Sequence, residues 1–357
     1  MPGPVGQAYG RSDARSAHDA AKRRAPAAAR APTIRELVGQ RLVIAMQGTS
    51  ASPGLLARIR AGEVGGIILF GANVESRSQL TRSVTEMQRA ARTAGRPPLL
   101  IAADQEGGAI RRLPWIGPSA SAAELGVLGA ARVREEAHAA GRLLRAAGIN
   151  SDLAPVADVP AAGSFMALEK RTFATGADDV GRAAAAFARG LAAARVAAAV
   201  KHFPGIGRAT RNTDRTAVSI RAGLDDLERT DLVPFRRVIA AGVPMVMLSN
   251  ATYPMLDAKP APWSPKLQAL LRDGLGFKGV TITDALEGAA TTRGRSVTAV
   301  ASLAAQAGVD LLLLTGSEAS SDVAFEALVR AAEEGRISVA ALQRSYVRIG
   351  ALKRAYA

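Results

Sequence analysis

The sequence predicts a (β/α)8 barrel, in which eight parallel strands form a ring surrounded by helices. Short apolar segments alternate with amphipathic helical stretches about eight times in the roughly 300 residues that follow Thr33, which is the order expected of strand–helix units. Several segments are apolar on both faces, as in parallel strands that helices cover. An open doubly wound sheet is the alternative. No Gly-x-Gly-x-x-Gly turn follows the first strand, which argues against dinucleotide binding.

Each predicted strand is a short apolar run that ends in Gly, Pro or polar residues. In chain order, the strands are Leu42–Gly48, Gly66–Gly71, Leu99–Gln105, Ser151–Val159, Ala197–Pro204, Pro244–Asn250, Gly279–Ala285 and Asp310–Gly316. Between them, apolar residues recur at helical spacing. These helices are Ser78–Arg92, Ser121–Ala147, Val180–Ala194, Leu224–Ala241, Pro265–Gly274, Ser296–Ala307 and Ser320–Glu334.

The composition is that of one large α/β domain, which we assign to residues 32–357 of the 357-residue chain. The absence of cysteine excludes disulfides and thiolate metal sites, and three histidines argue against a multi-histidine metal centre. The formal charge of +15 comes with only 4% aromatic residues and no basic cluster interleaved with aromatics. We therefore expect a charged surface rather than a specific nucleic-acid site.

Residues 1–31 contain Ala, Arg, Gly and Pro with few large apolar side chains, so we expect a disordered basic tail. The tail could attract anionic polymers such as cell-wall material. It lacks the apolar core of a signal peptide, and no later segment reaches 18 apolar residues. These features predict a cytoplasmic protein without a membrane span. We also expect a monomer.

Unusual polar residues follow the predicted strands where the chain leaves them. The third strand leads to Asp104 and Arg112, the fourth to Asp158 and a loop with Arg171, the fifth to Lys201 and His202, the sixth to Ser249 and Asn250, and the seventh to Asp284 and Glu287. Individually, Asp104 and Asp284 could be helix caps. Lys201 and His202 could form a structural pair with Asp158, and Arg112 and Arg171 could be surface charges. The carboxyl ends of barrel strands meet at one end, however, so together they predict a pocket for a hydroxyl-rich ligand.

Three motifs are similar to those of glycoside hydrolase family 3: Asp104-Gln-Glu-Gly-Gly, Lys201-His-Phe-Pro-Gly-x-Gly and Ile282-Thr-Asp-Ala-Leu. The resemblance extends in order from Thr33 to Gly316 and is strongest to the bacterial β-N-acetylhexosaminidases that act on cell-wall muropeptides. It implies a retaining hydrolase that removes terminal β-linked N-acetylhexosamine from glycans. By the same resemblance, Asp284 is the nucleophile, and the terminal sugar is held by Asp104, Arg112, Arg171, Lys201 and His202.

No metal or organic cofactor is expected, because two carboxylate-type groups suffice for glycoside hydrolysis. We also expect the positive charges of Lys201 and Arg171 to keep Asp284 ionised at neutral pH. A β-glucosidase or β-xylosidase of the same fold is an alternative, because the residues of a 2-acetamido pocket are not recognisable in the sequence.

The chain departs from that branch at its acid/base loop, where the family carries Gly-His-Gly and then Asp-Ser-His. Here the matching residues are Ile206 within Gly-Ile-Gly, followed by Asn212, Thr213 and Asp214. Three alternatives follow from this difference. Asp214 could be the acid/base, or another carboxylate such as Glu287 or Glu169 could serve. In the third, the loop has lost the function, which leaves a weak hydrolase, a phosphorylase-like enzyme or a glycan-binding protein.

Overall fold

Eight parallel strands form the ring of the barrel: β1 (Leu42–Ala45), β2 (Gly66–Leu69), β3 (Leu100–Ala103), β6 (Ser151–Asp152), β7 (Ala197–Phe203), β8 (Met245–Leu248), β11 (Val280–Thr283) and β12 (Leu312–Leu314). They pair in this order, and β12 pairs with β1. A parallel bridge between Ile282 and Leu311 joins β11 to the residue before β12 and closes the ring. Each predicted strand segment contains one of these strands, so the barrel prediction is confirmed and the open sheet is wrong.

Two hairpins lie outside the ring. Their strands are β4 (Gln105–Gly107) with β5 (Ile110–Arg111), and β9 (Thr252–Tyr253) with β10 (Asp257–Pro260). The first hairpin follows β3 directly. It therefore carries the residues after Asp104 over the carboxyl end of the barrel.

The helices that surround the ring include every helical stretch predicted from the sequence. They are α1 (Ile34–Gly39), α2 (Pro53–Ala61), α3 (Arg77–Thr93), α4 (Ala122–Val127), α5 (Gly129–Ala146), α6 (Phe165–Leu168), α7 (Ala177–Ala193), α8 (Leu224–Arg229), α9 (Leu232–Ala240), α10 (Pro265–Ala269), α11 (Ala289–Thr292), α12 (Val297–Gln306), α13 (Glu318–Glu333) and α14 (Val339–Tyr356). Short 3-10 helices span Gly71–Asn73 and Ala261–Trp263, and a π-helical turn spans Leu270–Gly274. The stretch 121–147 is divided into α4 and α5, because Gly129 adopts a left-handed backbone with φ of 84°.

The side chains of the strands alternate between two apolar layers, as the two-residue period of a strand requires. Val43 and Ala45 point into the barrel interior, while Leu42 and Ile44 belong to the layer between strands and helices. Helix α14 covers the amino-terminal end of the barrel, because its Ile349 and Leu352 pack with the interior residues. The opposite end is left open for a ligand.

This computed structural model describes residues 1–3, 6 and 30–357. Residues 33–357 form one compact unit. The predicted disordered tail lies almost entirely outside the described residues and stays a prediction. None of the described helices combines the length and the apolar character that a membrane crossing needs.

Candidate active site

All seven side chains predicted for the site line one cavity at the carboxyl ends of the barrel strands. The cavity has a volume of about 540 Å³, which is in the range of small-molecule sites. Its lining includes Asp104, Arg112, Arg171, Lys201, His202, Asp214 and Asp284, together with the alternatives Glu169 and Glu287. The structure thus brings the predicted residues together, while their individual roles stay predictions.

Lys201, in β7, lies between two carboxylates at the floor of this cavity. Its Nζ is 2.8 Å from Oδ1 of Asp104 and 2.6 Å from Oε1 of Glu106. Arg171, in the loop after α6, donates through Nε and Nη2 to the two oxygens of Glu106, both at 2.9 Å. Arg112 extends the cluster, with Nη2 3.4 Å from Oδ2 of Asp104. Because each charge is paired, the cluster is rigid before a ligand arrives.

These paired groups keep their charges despite being buried. Burial acts to raise the pKa of Glu106, but Arg171 and Lys201 outweigh it and hold that pKa well below its usual range. The pKa of Asp104 is lowered in the same way, since Lys201 and Arg112 outweigh its burial. Burial acts to lower the pKa of Lys201 and of Arg171, and the carboxylates raise both above their ordinary values. The cluster therefore offers fixed charged donors and acceptors, which suit bidentate hydrogen bonds to hydroxyl groups.

His202 is held by a carboxylate that lies deeper in the protein. Its Nδ1 is 2.7 Å from Oδ2 of Asp158, which is fully buried. In a neutral imidazole this contact places the proton on Nδ1 and leaves Nε2 as an acceptor. The sequence left open a structural pairing of Lys201 and His202 with Asp158. The structure shows that pairing for His202 only, because Lys201 pairs with Asp104 and Glu106 instead.

Asp284 follows β11 and has no ion-pair partner among the residues that the structure describes. Its Oδ1 accepts a hydrogen bond of 2.8 Å from the N–H of Ala285. Burial and the negative charge of Asp214 raise the pKa of Asp284 from 3.8 to about 6, although His202 and Lys201 act in the opposite direction. We expected nearby cations to determine the pKa of Asp284. That expectation was wrong, because burial is the largest cause. Asp284 is still mostly ionised at pH 7.

Asp214 is exposed at the edge of the cavity, in the long loop after β7. Its backbone N–H donates to Oδ1 of Asn212 at 2.7 Å, which forms a local turn. Within residues 30–357, its carboxylate makes neither a hydrogen bond nor an ion pair. The side chain is thus available to a ligand, and its negative charge raises the pKa of Asp284.

The first part of the same loop is fixed to the barrel. Ile206 is buried, and its N–H donates to Oδ1 of Asp158 at 2.7 Å. Gly207 packs so closely that an added Cβ would lie 1.8 Å from the carbonyl oxygen of Val159. Arg208 pairs at 2.9 Å with the buried carboxylate that precedes α9. These contacts fix the base of the loop that carries Asp214.

The two alternative carboxylates have different surroundings. Both oxygens of Glu287 accept hydrogen bonds from the segment after β12, at 2.9 and 3.1 Å from Thr315 and at 3.0 Å from Gly316. Glu169 is exposed and lies 3.7 Å from Nη1 of Arg171. Because Glu287 is engaged in holding this segment, it is the less available of the two for proton transfer.

Two buried carboxylates were not among the predicted site residues: Glu106, which lines the cavity, and Asp152, which does not. Glu106 lies two positions after Asp104, and residues spaced by two share one face of an extended segment, so its spacing could have identified it. Asp152 lies in β6 and is fully buried. Its Oδ1 accepts from the N–H of Gln105 at 2.9 Å, and burial raises its pKa to about 8. For Asp152, the sequence contained one sign of an unusual role, which is a carboxyl group within an otherwise apolar strand segment.

Within the described part of the chain, no three His, Asp or Glu side chains are grouped so as to hold a metal ion. The charged and titratable groups that this cavity offers include its paired ions, the His202 imidazole and the unpaired carboxylates.

Comparison with known proteins gives concordant matches. Residues 33–352 match the glycosyl hydrolase family 3 N-terminal domain. An uncharacterized secreted glycosyl hydrolase of Arthroderma benhamiae is 37% identical over 327 residues, which are 88% of this chain and 92% of that protein. A beta-hexosaminidase of Stenotrophomonas maltophilia is 34% identical over 287 residues, which are 78% of this chain and 84% of that protein. A solved glycoside hydrolase family 3 β-N-acetylglucosaminidase from Paenibacillus sp. FPU-7 is 35% identical, with a TM-score of 0.88. The match covers 91% of this chain and 63% of that one.

Proposed function

Because the chain belongs to glycosyl hydrolase family 3, we propose that it is a retaining β-N-acetylhexosaminidase. Its substrate would be a glycan with a terminal β-linked N-acetylglucosamine, such as a cell-wall muropeptide. Support for the sugar comes from the names of the Stenotrophomonas and Paenibacillus relatives. Peptidoglycan turnover is the process that this substrate implies.

The observation that carries the proposal is the contrast between Asp284 and its charged neighbours. Asp104, Lys201 and Arg171 are fixed by ion pairs, whereas Asp284 has no such partner among the described residues and faces the same cavity. A carboxylate that is ionised but unpaired can attack a carbon centre. The fixed groups can hold the sugar hydroxyls around it.

In the first step, Asp284 attacks the anomeric carbon and forms a glycosyl–enzyme bond, while the bond to the leaving oxygen breaks. Asp214 donates a proton to that oxygen. In the second step, the Asp214 carboxylate removes a proton from water, which attacks the same carbon and releases Asp284. Two inversions retain the β configuration. Asp104, Arg112, Arg171, Lys201 and His202 would hold the sugar in both steps.

The test is the hydrolysis of an aryl β-N-acetylglucosaminide between about pH 4 and 8, by the wild type and by Asp284→Asn. We expect the wild type to turn over and the variant to lose about 10³-fold or more in kcat, because it lacks the nucleophile. Equal rates in both proteins would contradict the proposal. Aryl β-glucosides and β-xylosides in the same assay test the alternative sugars.

A non-catalytic glycan-binding protein is the second candidate. Two differences from the β-N-acetylhexosaminidase branch favour it. Where that branch has the two histidines of its acid/base loop, this chain has the buried Ile206 and the exposed Asp214. Calorimetry with N-acetylglucosamine distinguishes the two functions, since binding by a wild type that shows no turnover supports the second candidate.

A cytoplasmic location and a monomeric state stay predictions. The relative from Arthroderma benhamiae is described as secreted, so the location needs a direct test. Fractionation of the producing cells locates the protein, and light scattering at several concentrations measures its oligomeric state.

A further inference from the structure

A second cavity lies at the amino-terminal end of the barrel, opposite the candidate active site. Its volume is about 270 Å³, and four arginines line it: Arg41, Arg272, Arg344 and Arg348. They come from the residue before β1, the π-helical turn and helix α14. Side chains at this end of a barrel ordinarily serve stability, so a group of four guanidinium ions needs a physical reason.

The buried Asp310 accounts for part of this charge. Its Oδ1 is 2.6 Å from Nη2 of Arg348, and its Oδ2 is 2.5 Å from Nη2 of Arg272. Arg41 makes no ion pair among the described residues. Instead, it donates through Nη2 and Nε to the carbonyl oxygens of Val309 and Asp310, at 2.5 and 3.1 Å.

The charges around the cavity do not balance. Four guanidinium groups face two carboxylates, Asp310 and the exposed Asp273 that also lines the cavity, so the local charge is +4 − 2 = +2. Burial and the neighbouring Arg348 lower the pKa of Arg41 from 12.5 to about 10, against the opposing effect of Asp310. Like charges held together in a partly buried space destabilise one another unless an anion lies between them.

The cavity also offers hydrogen-bonding groups that protein partners do not use. Across residues 30–357, Arg344 makes no hydrogen bond or ion pair. Arg348 uses Nε and Nη2 on Asp310 and Ser345, and its Nη1 has no such partner. Gln268 lines the same cavity, and its buried Oε1 accepts no hydrogen bond from the described residues. A buried acceptor without a donor is unfavourable, so a donor from a ligand would stabilise it.

We propose that this cavity binds a phosphate group. Arg344 and Nη1 of Arg348 donate to the phosphate oxygens, since planar guanidinium groups match that anion well. The hydroxyl of a monoprotonated phosphate donates to Oε1 of Gln268. Sulfate lacks this hydroxyl at neutral pH, so the site should prefer phosphate. The site is distinct from the candidate active site and does not depend on the glycosidase activity.

The experiment is isothermal titration calorimetry at pH 7 with inorganic phosphate, glycerol 3-phosphate and sulfate, at ionic strength held constant with sodium chloride. We expect wild-type protein to bind inorganic phosphate at least fivefold more tightly than sulfate. Arg344→Gln should weaken that binding at least fivefold. Arg354→Gln should leave it unchanged, because this exposed arginine lies on the same helix but outside the cavity.

The two phosphate compounds distinguish a free ion from a phosphate ester, and binding of either supports the site. Arg344 is exposed, so Arg344→Gln should fold, which circular dichroism checks. Arg348→Lys provides a second variant, since lysine keeps the charge but loses the planar pair of donors. The proposal is overturned if neither phosphate compound binds, or if sulfate binds as tightly as inorganic phosphate. It is also overturned if Arg344→Gln binds inorganic phosphate as tightly as the wild type does.

Discussion

The pKa of Asp284 gives a quantitative test of how its carboxylate interacts with that of Asp214. Burial and the charge of Asp214 raise this pKa from 3.8 to about 6, a change of about 2 units or roughly 3 kcal/mol at 1.36 kcal/mol per unit. A nucleophilic carboxylate must be ionised, so kcat/KM of the wild type should fall as the pH decreases below about 6.

The variant Asp214→Asn removes one of the two causes and leaves burial in place. In a retaining site, the two carboxyl groups are about 5.5 Å apart. Asp214 is exposed but Asp284 is partly buried, so the effective dielectric constant lies between about 20 and the roughly 80 of water, and the repulsion is roughly 1 to 3 kcal/mol, or about half to two pKa units. The acid limb of the variant should therefore move to lower pH by at least about half a unit.

The assay is kcat/KM for 2,4-dinitrophenyl β-N-acetylglucosaminide between about pH 4 and 8. This leaving group needs no proton, so the variant should keep measurable activity. Glu169→Gln is the matched control, because Glu169 is an exposed carboxylate that lines the same cavity and does not contribute to the shift at Asp284. The reasoning is refuted if the wild-type limb lies near pH 4, or if both variants move it equally.

Three further perturbations test other parts of the structure. Glu106→Gln should lower kcat/KM about 100-fold, because its paired arginine and lysine lose their fixed positions; steady-state kinetics that match the wild type would contradict this. Gly207→Ala introduces a Cβ 1.8 Å from the carbonyl oxygen of Val159, whereas Gly223→Ala meets nothing within 4 Å, so only the first should slow cleavage of a natural disaccharide. Burial lowers the pKa of Lys353 from 10.5 to about 7, so the unfolded chain binds more protons between these values and stability should rise with pH across that window. In urea unfolding, Lys353→Met should lose this rise of stability with pH, and a profile parallel to the wild type would contradict the linkage.

Sequence patterns predicted the barrel well, because each strand is a separate apolar run between turn residues. Helix α14 was missed because its buried face includes Ser345 and Lys353 among the apolar side chains, which weakens the helical pattern. Its role at the amino-terminal end of the barrel depends on packing with interior residues that are distant in the chain.

The candidate site was predictable where one short segment carries the signal. Lys201 and His202 end an apolar strand, where packing alone would not place a cation and an imidazole. The importance of Glu106 depends on Arg171, which lies 65 positions away, and a single sequence contains no sign of that contact. The expectation for Asp284 named the wrong cause of its charge state. Lys201 is already paired with Asp104 and Glu106, so burial has the larger effect.

The most direct test of the proposed mechanism is to trap its covalent intermediate. A 5-fluoro N-acetylglucosaminyl fluoride reacts with a nucleophile but releases the sugar slowly, because fluorine next to the ring oxygen destabilises the oxocarbenium-like transition state. Incubation followed by proteolysis and peptide mass spectrometry should find one sugar on Asp284, and Asp284→Asn should remain unlabelled. A label on another residue, or turnover of the compound without any label, would contradict the assignment of Asp284 as the nucleophile.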